Sequence, residues 1–180
     1  FSADDLRNYY HAFPGTIDRA ISTPVGYAYP AAAFVGWNCY RSDVDSSELM
    51  YICWSGLGMG DHNACDWAEE AHINILLDGG ALQAKHWTIY LRCLPYNDDG
   101  YVEGVMIDDR IGVQVYPRRR PAEATADVEA FAKSDIAYAK SGLEVHAKKA
   151  KRQEDTGRFW GAEVEGRVGL IGGRDTRFQL

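Results

Sequence analysis

Two adjacent aspartates, Asp108 and Asp109, stand between two apolar segments that cover residues 102–107 and 111–115. The apolar segments predict two β-strands joined by a tight turn, with both carboxylates at the tip of the resulting hairpin. Like charges repel and apolar surroundings penalise the ionised form, so such a pair is costly unless a cation compensates it. Mg²⁺ takes oxygen ligands and would remove that cost. A solvated turn, where Asp is common, is the alternative interpretation.

A single pair of carboxylates does not hold two metal ions well, so a third carboxylate from another strand is expected. Asp5 is the candidate. The residues alone leave open whether Asp4 and Asp5 instead begin a helix, where acidic side chains are favoured. A second adjacent pair, Asp98 and Asp99, stands in a polar turn sequence, and for that pair the solvated turn is the preferred interpretation.

Hydrophobic patterning predicts the elements that must position these carboxylates. Predicted strands, of which the second is buried, cover residues 31–40, 49–54 and 87–94, and a hairpin near the end of the chain joins residues 159–164 to 168–171. Predicted helices run from about residue 64 to 77, before Gly79, and from Pro121 to near Gly142. Strands and helices alternate irregularly, which predicts an α+β fold with an antiparallel sheet.

Charge gives an ambiguous signal about partners. The net charge of −7 argues by itself against nucleic acid, because phosphate binding needs a basic surface. The basic residues are nevertheless grouped, first in the run 118–120 and then in Lys140, Lys148, Lys149, Lys151, Arg152 and Arg158. From charge alone, a solvated face is the preferred interpretation of both groups.

Composition narrows the class of protein. The chain has 180 residues, of which 46% are hydrophobic and 25% charged, as in an ordinary globular domain. No apolar run approaches the roughly 18 residues that a membrane span needs. The four cysteines form no Cys-x-x-Cys pair, which favours reduced, intracellular thiols over zinc or disulfides. The histidines have no metal-ligand spacing, and no role is assigned to His62, His72, His86 or His146.

Five segments in the same order along the chain resemble the palm motifs of reverse transcriptases. The first two are Asp5-Leu6 with Tyr10, similar to Asp-Leu-x-x-x-Tyr, and Leu57-Gly58-Met59-Gly60, similar to Leu-Pro-Met-Gly before a helix. The others are Met106-Ile107-Asp108-Asp109, similar to Tyr-x-Asp-Asp, then Gly142-Leu143 with Lys149, and then Phe159-Trp160-Gly161, similar to Phe-Leu-Gly. Each motif is weak alone, and their common order is the strong signal.

The resemblance implies an RNA-directed DNA polymerase. It implies a palm-type antiparallel sheet packed against helices, with a partial fingers insert, and treats residues 1–180 as a single domain. The implied cofactor is a pair of Mg²⁺ ions, with Mn²⁺ as a substitute, held by Asp5, Asp108, Asp109 and the backbone carbonyl of Leu6. The implied partners are a primed RNA or DNA template, a deoxynucleoside triphosphate and other regions of a parent polyprotein, but no membrane.

The same resemblance assigns substrate contacts. Tyr10 would exclude the 2′-hydroxyl of ribonucleotides. Met59 and Gly60 would lie against the templating pair, and Lys149, or its neighbour Lys148, would meet the pyrophosphate or supply a proton. The primer terminus would be positioned by Phe159, Trp160 and Gly161. From the residues alone, core packing is an equally good interpretation of Tyr10, and a solvated lysine is the preferred interpretation of Lys149. A glycine-rich turn is the alternative for Met59 and Gly60, and core packing is the alternative for residues 159–161.

Three residues depart from the family pattern. Gly58 replaces the usual Pro, Met106 stands where Tyr is common, and Arg110 stands where an apolar residue is usual. The fingers and thumb are expected to lie outside this piece of sequence. Two other classes of function therefore stay open, namely an inactive palm-like scaffold that binds RNA or protein, and a metal-dependent phosphohydrolase.

Overall fold

The computed structural model describes residues 1–88, 99–117 and 125–173. The chain forms two compact units, one from the described residues of Phe1–Tyr9 and Cys65–Leu180, and one from Tyr10–Ala64. The basic run 118–120, the start of the helix predicted at Pro121 and most of the strand predicted over 87–94 lie outside the described residues.

Helices and antiparallel sheets make up both units, so the predicted α+β class is confirmed. The strands are β1 (Ser2–Asp5), β2 (Pro24–Pro30), β3 (Leu49–Cys53), β4 (Tyr101–Met106), β5 (Asp109–Gln114), β6 (Thr156–Phe159), β7 (Ala162–Glu165) and β8 (Leu170–Gly173). The α-helices are α1 (Ile17–Ile21), α2 (Ala64–Asp78) and α3 (Ala126–Lys140), and short 3₁₀ helices cover Tyr9–Ala12 and Ala31–Phe34. The two longer helices agree with the sequence-based prediction.

The first unit is built on a three-stranded antiparallel sheet in the order β1-β5-β4. Strand β5 lies in the middle, so Asp5 of β1 and Met106 of β4 both pair with Asp109 of β5. The predicted hairpin is therefore confirmed, and Asp109 is the first residue of its second strand. Asp4 and Asp5 belong to strand β1, so the alternative that they begin a helix is wrong.

One face of this sheet is covered by helices. Phe131 of α3 packs closely on β5, because a Cβ added at Gly112 would come within 2.8 Å of its ring. Unusually polar side chains lie on this face, including Asp4 and Arg110, each at most 1% exposed. The guanidinium of Arg110 and that of Arg152 stand 4.5 and 4.8 Å from the centre of the Phe131 ring. The helix-facing side is thus held by charge pairing as well as by apolar packing.

The opposite face of the central sheet, which carries Asp5 and Asp109, packs against the antiparallel sheet β6-β7-β8. The contact is apolar and consists of Phe1, Ala3, Val164, Ile111, Val113 and Phe159. Successive residues of a strand point to opposite sides, so Asp4 faces the helices while Asp5 faces this second sheet.

The hairpin predicted to join residues 159–164 to 168–171 is present as β7 and β8, but its first strand starts only at Ala162 because a turn interrupts the predicted segment. Trp160 and Gly161 have φ angles of +44° and +78°, and Phe159 pairs with Ala162 across them. Two successive residues with positive φ reverse the chain, so the segment forms the tip of the β6–β7 hairpin instead of one strand.

The second unit contains a two-stranded antiparallel sheet, β2-β3. The strand predicted over residues 31–40 is wrong, since it begins with the 3₁₀ helix Ala31–Phe34 and Gly36 has a φ of +89°. The strand predicted over 49–54 is present as β3, but Leu49 and Tyr51 are 63% and 56% exposed. In the part of the chain that the structure describes, no helix is long and apolar enough to cross a membrane.

Candidate functional site

The turn between β4 and β5 is strained. Met106 pairs with Asp109, so Ile107 and Asp108 are its two central residues, and Ile107 has a φ of +54°. A positive φ is a genuine outlier for a β-branched residue, and such conformations cost of the order of 1–3 kcal/mol. The surrounding structure must therefore hold the turn in this shape.

The imidazole of His72 supplies that support. Its Nδ1 lies 2.8 Å from the carbonyl oxygen of Ile107, and its Nε2 lies 2.8 Å from the hydroxyl of Tyr138. Because a carbonyl only accepts, Nδ1 carries the proton, and Nε2 accepts the Tyr138 hydroxyl. Burial lowers the pKa of His72 to about 4, so the ring is neutral. Spacing in the sequence gave no signal for this role, which arises only when α2 and α3 pack on the hairpin.

Asp5 and the aspartate pair meet at one end of the sheet. Asp5 pairs with Asp109 in the β1–β5 register, and the N–H of Leu6 donates to the backbone carbonyl of Asp108 at 2.9 Å. The structure therefore brings together the three predicted catalytic aspartates. The predicted contribution of the Leu6 carbonyl to a metal site stays a prediction.

A segment after α3 brings a lysine to this end of the sheet. Val145 and Lys151 form antiparallel bridges with Leu6 and Ala3 on the free edge of β1. Between the bridges, the ammonium of Lys149 lies 2.6 Å from Oδ2 of Asp5. Of the two neighbouring lysines considered from the sequence, Lys149 is the one paired with the aspartate.

The pKa values reveal negative charge that this lysine does not fully compensate. Burial, together with the charges of Asp108 and Asp5, raises the pKa of Asp109 to about 6. Burial and the charge of Asp5 also raise the pKa of Asp108. Asp99 has the opposite shift, since hydrogen bonds from Lys85 and His86 outweigh burial and lower its pKa to about 2. The aspartates at the hairpin tip are thus poised to take up a cation or a proton.

Asp5 and Asp109 line an open cleft of about 360 Å³ whose walls include Lys148, Lys149, Lys151 and the β6–β7 hairpin. Asp5 and Asp109 lie on one side, and Phe159 and Trp160 on another. The cleft therefore joins the predicted metal ligands to two of the residues predicted to contact the primer.

The carboxylate oxygens of the three aspartates are ligands of the type that Mg²⁺ takes. In the structure, the ammonium of Lys149 neutralises Asp5 through an ion pair. The fit in geometry is incomplete. Within residues 1–88, 99–117 and 125–173, no three His, Cys, Asp or Glu side chains converge closely enough to form a metal site. Binding two ions would require the carboxylates of Asp5, Asp108 and Asp109 to draw together and Lys149 to move away.

Three predicted nucleotide contacts belong to the second unit, so the structure leaves their relation to the cleft open. Tyr10 is in the 3₁₀ helix Tyr9–Ala12, Met59 is 80% exposed, and Gly60 has a φ of +105°. A larger residue at Gly60 would be strained by that backbone conformation.

Two departures from the family pattern have local explanations. The N–H of Gly58 donates to Oδ2 of Asp61 at 2.7 Å, and an added Cβ would lie 2.9 Å from that oxygen. Proline has no N–H and more bulk, so it does not suit this position. Arg110 is buried and pairs with Glu103, whose Oε2 also accepts the hydroxyl of Tyr101 at 3.1 Å.

Comparisons with known proteins add no family assignment, since no family model and no curated protein matches this chain. The chemistry available at the cleft follows from its residues. The carboxylates of Asp5 and Asp109 offer oxygen ligands of the type that divalent cations take, although they do not converge with a third one. The ammonium of Lys149 and the indole of Trp160, which both line the cleft, can contact anionic and aromatic groups respectively.

Proposed function

We propose that this chain is the palm of an RNA-directed DNA polymerase, which transfers a nucleotide from a deoxynucleoside triphosphate to a primer 3′-hydroxyl. The observation that supports this most strongly is the pairing of Asp5 with Asp109, which line one cleft, at the end of the sheet where Leu6 also bonds the backbone of Asp108. These residues come from motifs far apart in sequence, and the polymerase resemblance requires them to meet. If the short motifs resembled those of polymerases only by chance, nothing would require Asp5 and Asp109 to lie together.

The arrangement of the first unit agrees with a palm. The sheet order β1-β5-β4 sets the strand of the first motif beside the aspartate hairpin, and α2 and α3 cover one face. The fourth and fifth motifs supply Lys149 and Trp160 to the same cleft. The second unit, Tyr10–Ala64, follows the first motif in sequence and would be the partial fingers insert.

In this function Asp5, Asp108 and Asp109 would hold the Mg²⁺ ions. When bound, the ions supply activation of the primer hydroxyl and stabilisation of the leaving oxygens. The protein itself mainly orients the reactants and excludes alternative geometries. The strained Ile107 turn, whose carbonyl is bound by His72, fixes the backbone that carries Asp108.

Substrate groups would be met by side chains around the carboxylates. Lys149, released from Asp5, would meet the pyrophosphate or give it a proton, since an ammonium suits either task. The β6–β7 tip, formed by Trp160 and Gly161, would position the primer end. In the second unit, Tyr10 would exclude ribonucleotides, and Met59 and Gly60 would lie against the templating base pair.

A palm-like scaffold without catalysis is the second candidate. It is favoured by the Lys149–Asp5 ion pair and by the absence, in the described residues, of a converged three-carboxylate metal site. Such a protein would keep the fold and bind RNA or protein. The phosphohydrolase alternative is favoured by no particular contact.

Primer extension separates these candidates. The full-length protein is given a primed RNA template, deoxynucleoside triphosphates and Mg²⁺, and a nitrophenyl phosphate assay runs in parallel. The polymerase proposal expects Mg²⁺-dependent extension that Asp108→Ala abolishes and Asp18→Ala, a change on exposed helix α1, preserves. Extension that survives Asp108→Ala would remove this residue from the mechanism. Phosphatase activity without extension would overturn the proposal.

A further inference from the structure

The two-stranded sheet of the second unit is not covered by the rest of that unit. Every residue of β2 except Ala28 is exposed, and Tyr51 of β3 is 56% exposed. A sheet of two strands is marginally stable in water unless another element covers it. Residues 10–64 are all described, and the only buried apolar side chains among them are Ala31, Leu57 and Ala64. This unit therefore presents apolar surface that a partner can cover.

A pocket opens beside this sheet, within the second unit. Its volume is about 260 Å³. The walls are mainly apolar and include Ala31, Phe34, Val44, Met50 and Ile52. Two backbone hydrogen bonds hold the loop that contains Val44 against a 3₁₀ helix, from the N–H of Ala31 to the carbonyl of Glu48 at 2.8 Å and from the N–H of Ala32 to the carbonyl of Ser46 at 3.0 Å. These bonds fix the shape of the pocket, as in preformed ligand sites.

The size of the pocket suits one bulky apolar side chain. An engineered apolar cavity of about 150 Å³ already holds benzene, whereas sites for drug-sized ligands have roughly 300–1,000 Å³. At about 260 Å³, this pocket lies between the two. A single aromatic or branched side chain of another protein therefore fits it better than a large cofactor does.

The rim of the pocket is negatively charged. Residues 10–64 contain more carboxylates than guanidiniums, namely Asp18, Asp43, Asp45, Glu48 and Asp61 against Arg19 and Arg41. Both guanidiniums are already paired, Arg41 with Asp43 and Arg19 with Asp61. Asp45 and Glu48 belong to the loop that supplies Val44 to the pocket wall, so they add net negative charge at the rim. This charge favours a cationic partner.

We propose that this pocket is a docking site for a protein segment with one bulky apolar side chain flanked by lysines or arginines. The apolar side chain fills the pocket as an anchor, and the flanking cations meet Asp45 and Glu48 at the rim. Nucleic acid does not suit this surface, because the same carboxylates repel phosphates. The inference goes beyond the proposed function and does not depend on it, since it involves neither the aspartate cleft nor a metal ion.

Short synthetic peptides separate the anchor from the flanking charge. The probes are acetyl-Lys-Lys-Phe-Lys-Lys-amide and its versions with Leu or Trp in place of Phe, titrated into the whole ¹⁵N-labelled chain. We expect at least one of them to give saturable NMR shifts at Val44, Met50 and Ile52. Exchanging its lysines for glutamates should weaken binding by about fivefold, and exchanging its anchor for Ala should abolish saturation.

Three results of this titration would overturn the docking site. They are the absence of saturable shifts with all three peptides, equal binding of the glutamate version, and equal binding of the version without an anchor. The last two would mean that the rim charge or the pocket itself plays no part in recognition.

A thiol at the pocket gives an independent readout. Cys39 is exposed and lines the pocket, whereas Cys65 is an exposed cysteine of helix α2 in the first unit. Bound peptide should slow the alkylation of Cys39 by N-ethylmaleimide, followed by mass spectrometry, and leave that of Cys65 unchanged. Undiminished alkylation of Cys39 at a peptide concentration that saturates the NMR shifts would place the peptide elsewhere and overturn the site.

Two variants test the wall and the rim separately. Val44→Lys puts an ammonium into the wall and should abolish binding of the lysine peptides, whereas Val168→Lys, the same change at an exposed valine of the first unit, should not. Glu48→Gln keeps the size of the side chain and the fold of the unit, removes one rim charge and should weaken binding by about twofold. Glu129→Gln on α3 is its matched control. Wild-type affinity in both Val44→Lys and Glu48→Gln would overturn the proposal.

Discussion

Asp5 of strand β1 lies directly opposite Asp109 of strand β5, although the whole second unit and helix α2 separate them in sequence. Both side chains face away from the helices, toward the cleft that Lys149 and Trp160 also line. Burial makes the largest contribution to the raised pKa of Asp109, and the nearby charge of Asp5 raises that pKa further. The predictions about metal binding follow from this one relationship.

Neutralising Asp5 should lower the pKa of Asp109. Asp5→Asn removes a repelling charge and also frees the ammonium of Lys149, and both effects favour the ionised form of Asp109. The measurement is a ¹³C NMR titration of the aspartate carboxyl carbons, starting from a wild-type midpoint near 6 for Asp109. Glu129→Gln, an exposed change on α3, serves as the control. An Asp109 midpoint that stays in place would mean that the two carboxylates do not interact.

Removing the ammonium of Lys149 should strengthen divalent binding in the absence of nucleotide. Lys149→Met keeps the length of the side chain but no longer competes for Asp5. The lysine of this ion pair is 59% exposed, so we expect a gain of about twofold to fivefold in Mn²⁺ affinity by calorimetry. Lys148→Met removes a neighbouring charge without touching this ion pair and should change the affinity less. Weaker Mn²⁺ binding in Lys149→Met would contradict the competition.

The free energy of unfolding should decrease as the pH falls below 6.5, because His72 is buried in its neutral form. Burial lowers its pKa from 6.5 to about 4, so between these values the unfolded chain binds the extra proton and is favoured. Full stability from this group is present above pH 6.5, and about 3 kcal/mol is lost as the pH falls to 4. Urea unfolding across this range measures the loss. His72→Asn keeps a donor for Ile107 but does not titrate, so it should lack this part of the slope.

Removing only one partner of the buried ion pair between Glu103 and Arg110 should strongly destabilise the folded protein. Both side chains are 0% exposed, so Glu103→Ala leaves an uncompensated guanidinium in the core. We expect a loss of about 3–5 kcal/mol in the free energy of unfolding, measured by chemical denaturation. The double variant Glu103→Leu with Arg110→Met should recover much of it. If the double variant were as unstable as the single one, the uncompensated charge would not be the cause.

Tyr10 should decide the sugar preference if the proposed polymerase is active. Tyr10→Ala removes the ring that would clash with a 2′-hydroxyl, so ribonucleotides should be incorporated more readily. The ratio of kcat/KM for ribonucleotide and deoxyribonucleotide in primer extension is the measurement. Tyr27→Ala, a change at an exposed tyrosine of β2, should leave that ratio unchanged. An unchanged ratio in Tyr10→Ala would remove the gate assignment.

Local patterns in the sequence predicted the elements that depend on local physics. Helix α2 was predicted from helical spacing and a terminating glycine pair, and Gly80 has a φ of +65° just after it. The β4–β5 hairpin was predicted from its two apolar runs. The order of the motifs predicted that Asp5 and Asp109 lie close together. Hydrophobic patterning could not predict this, because the pairing of distant strands depends on the whole chain.

The parts that were not predicted depend on tertiary context. His72 received no role, because its partners Ile107 and Tyr138 come from distant segments. Glu103 stood inside an apparently apolar strand, and only packing on Arg110 explains it. Hydrophobic patterning missed the turn at Trp160, because its first residue is one that type I′ turns disfavour, although the family resemblance implies a hairpin at Phe159-Trp160-Gly161.

The most direct test of the metal site is an anomalous diffraction map from crystals of the protein soaked in Mn²⁺. The proposed function predicts two peaks, about 3.5–4 Å apart, bounded by the carboxylates of Asp5, Asp108 and Asp109. Lys149 would then have left Asp5. A map without peaks at this cleft, with the Lys149 ammonium still on Asp5, would contradict the two-metal site and the polymerase that depends on it.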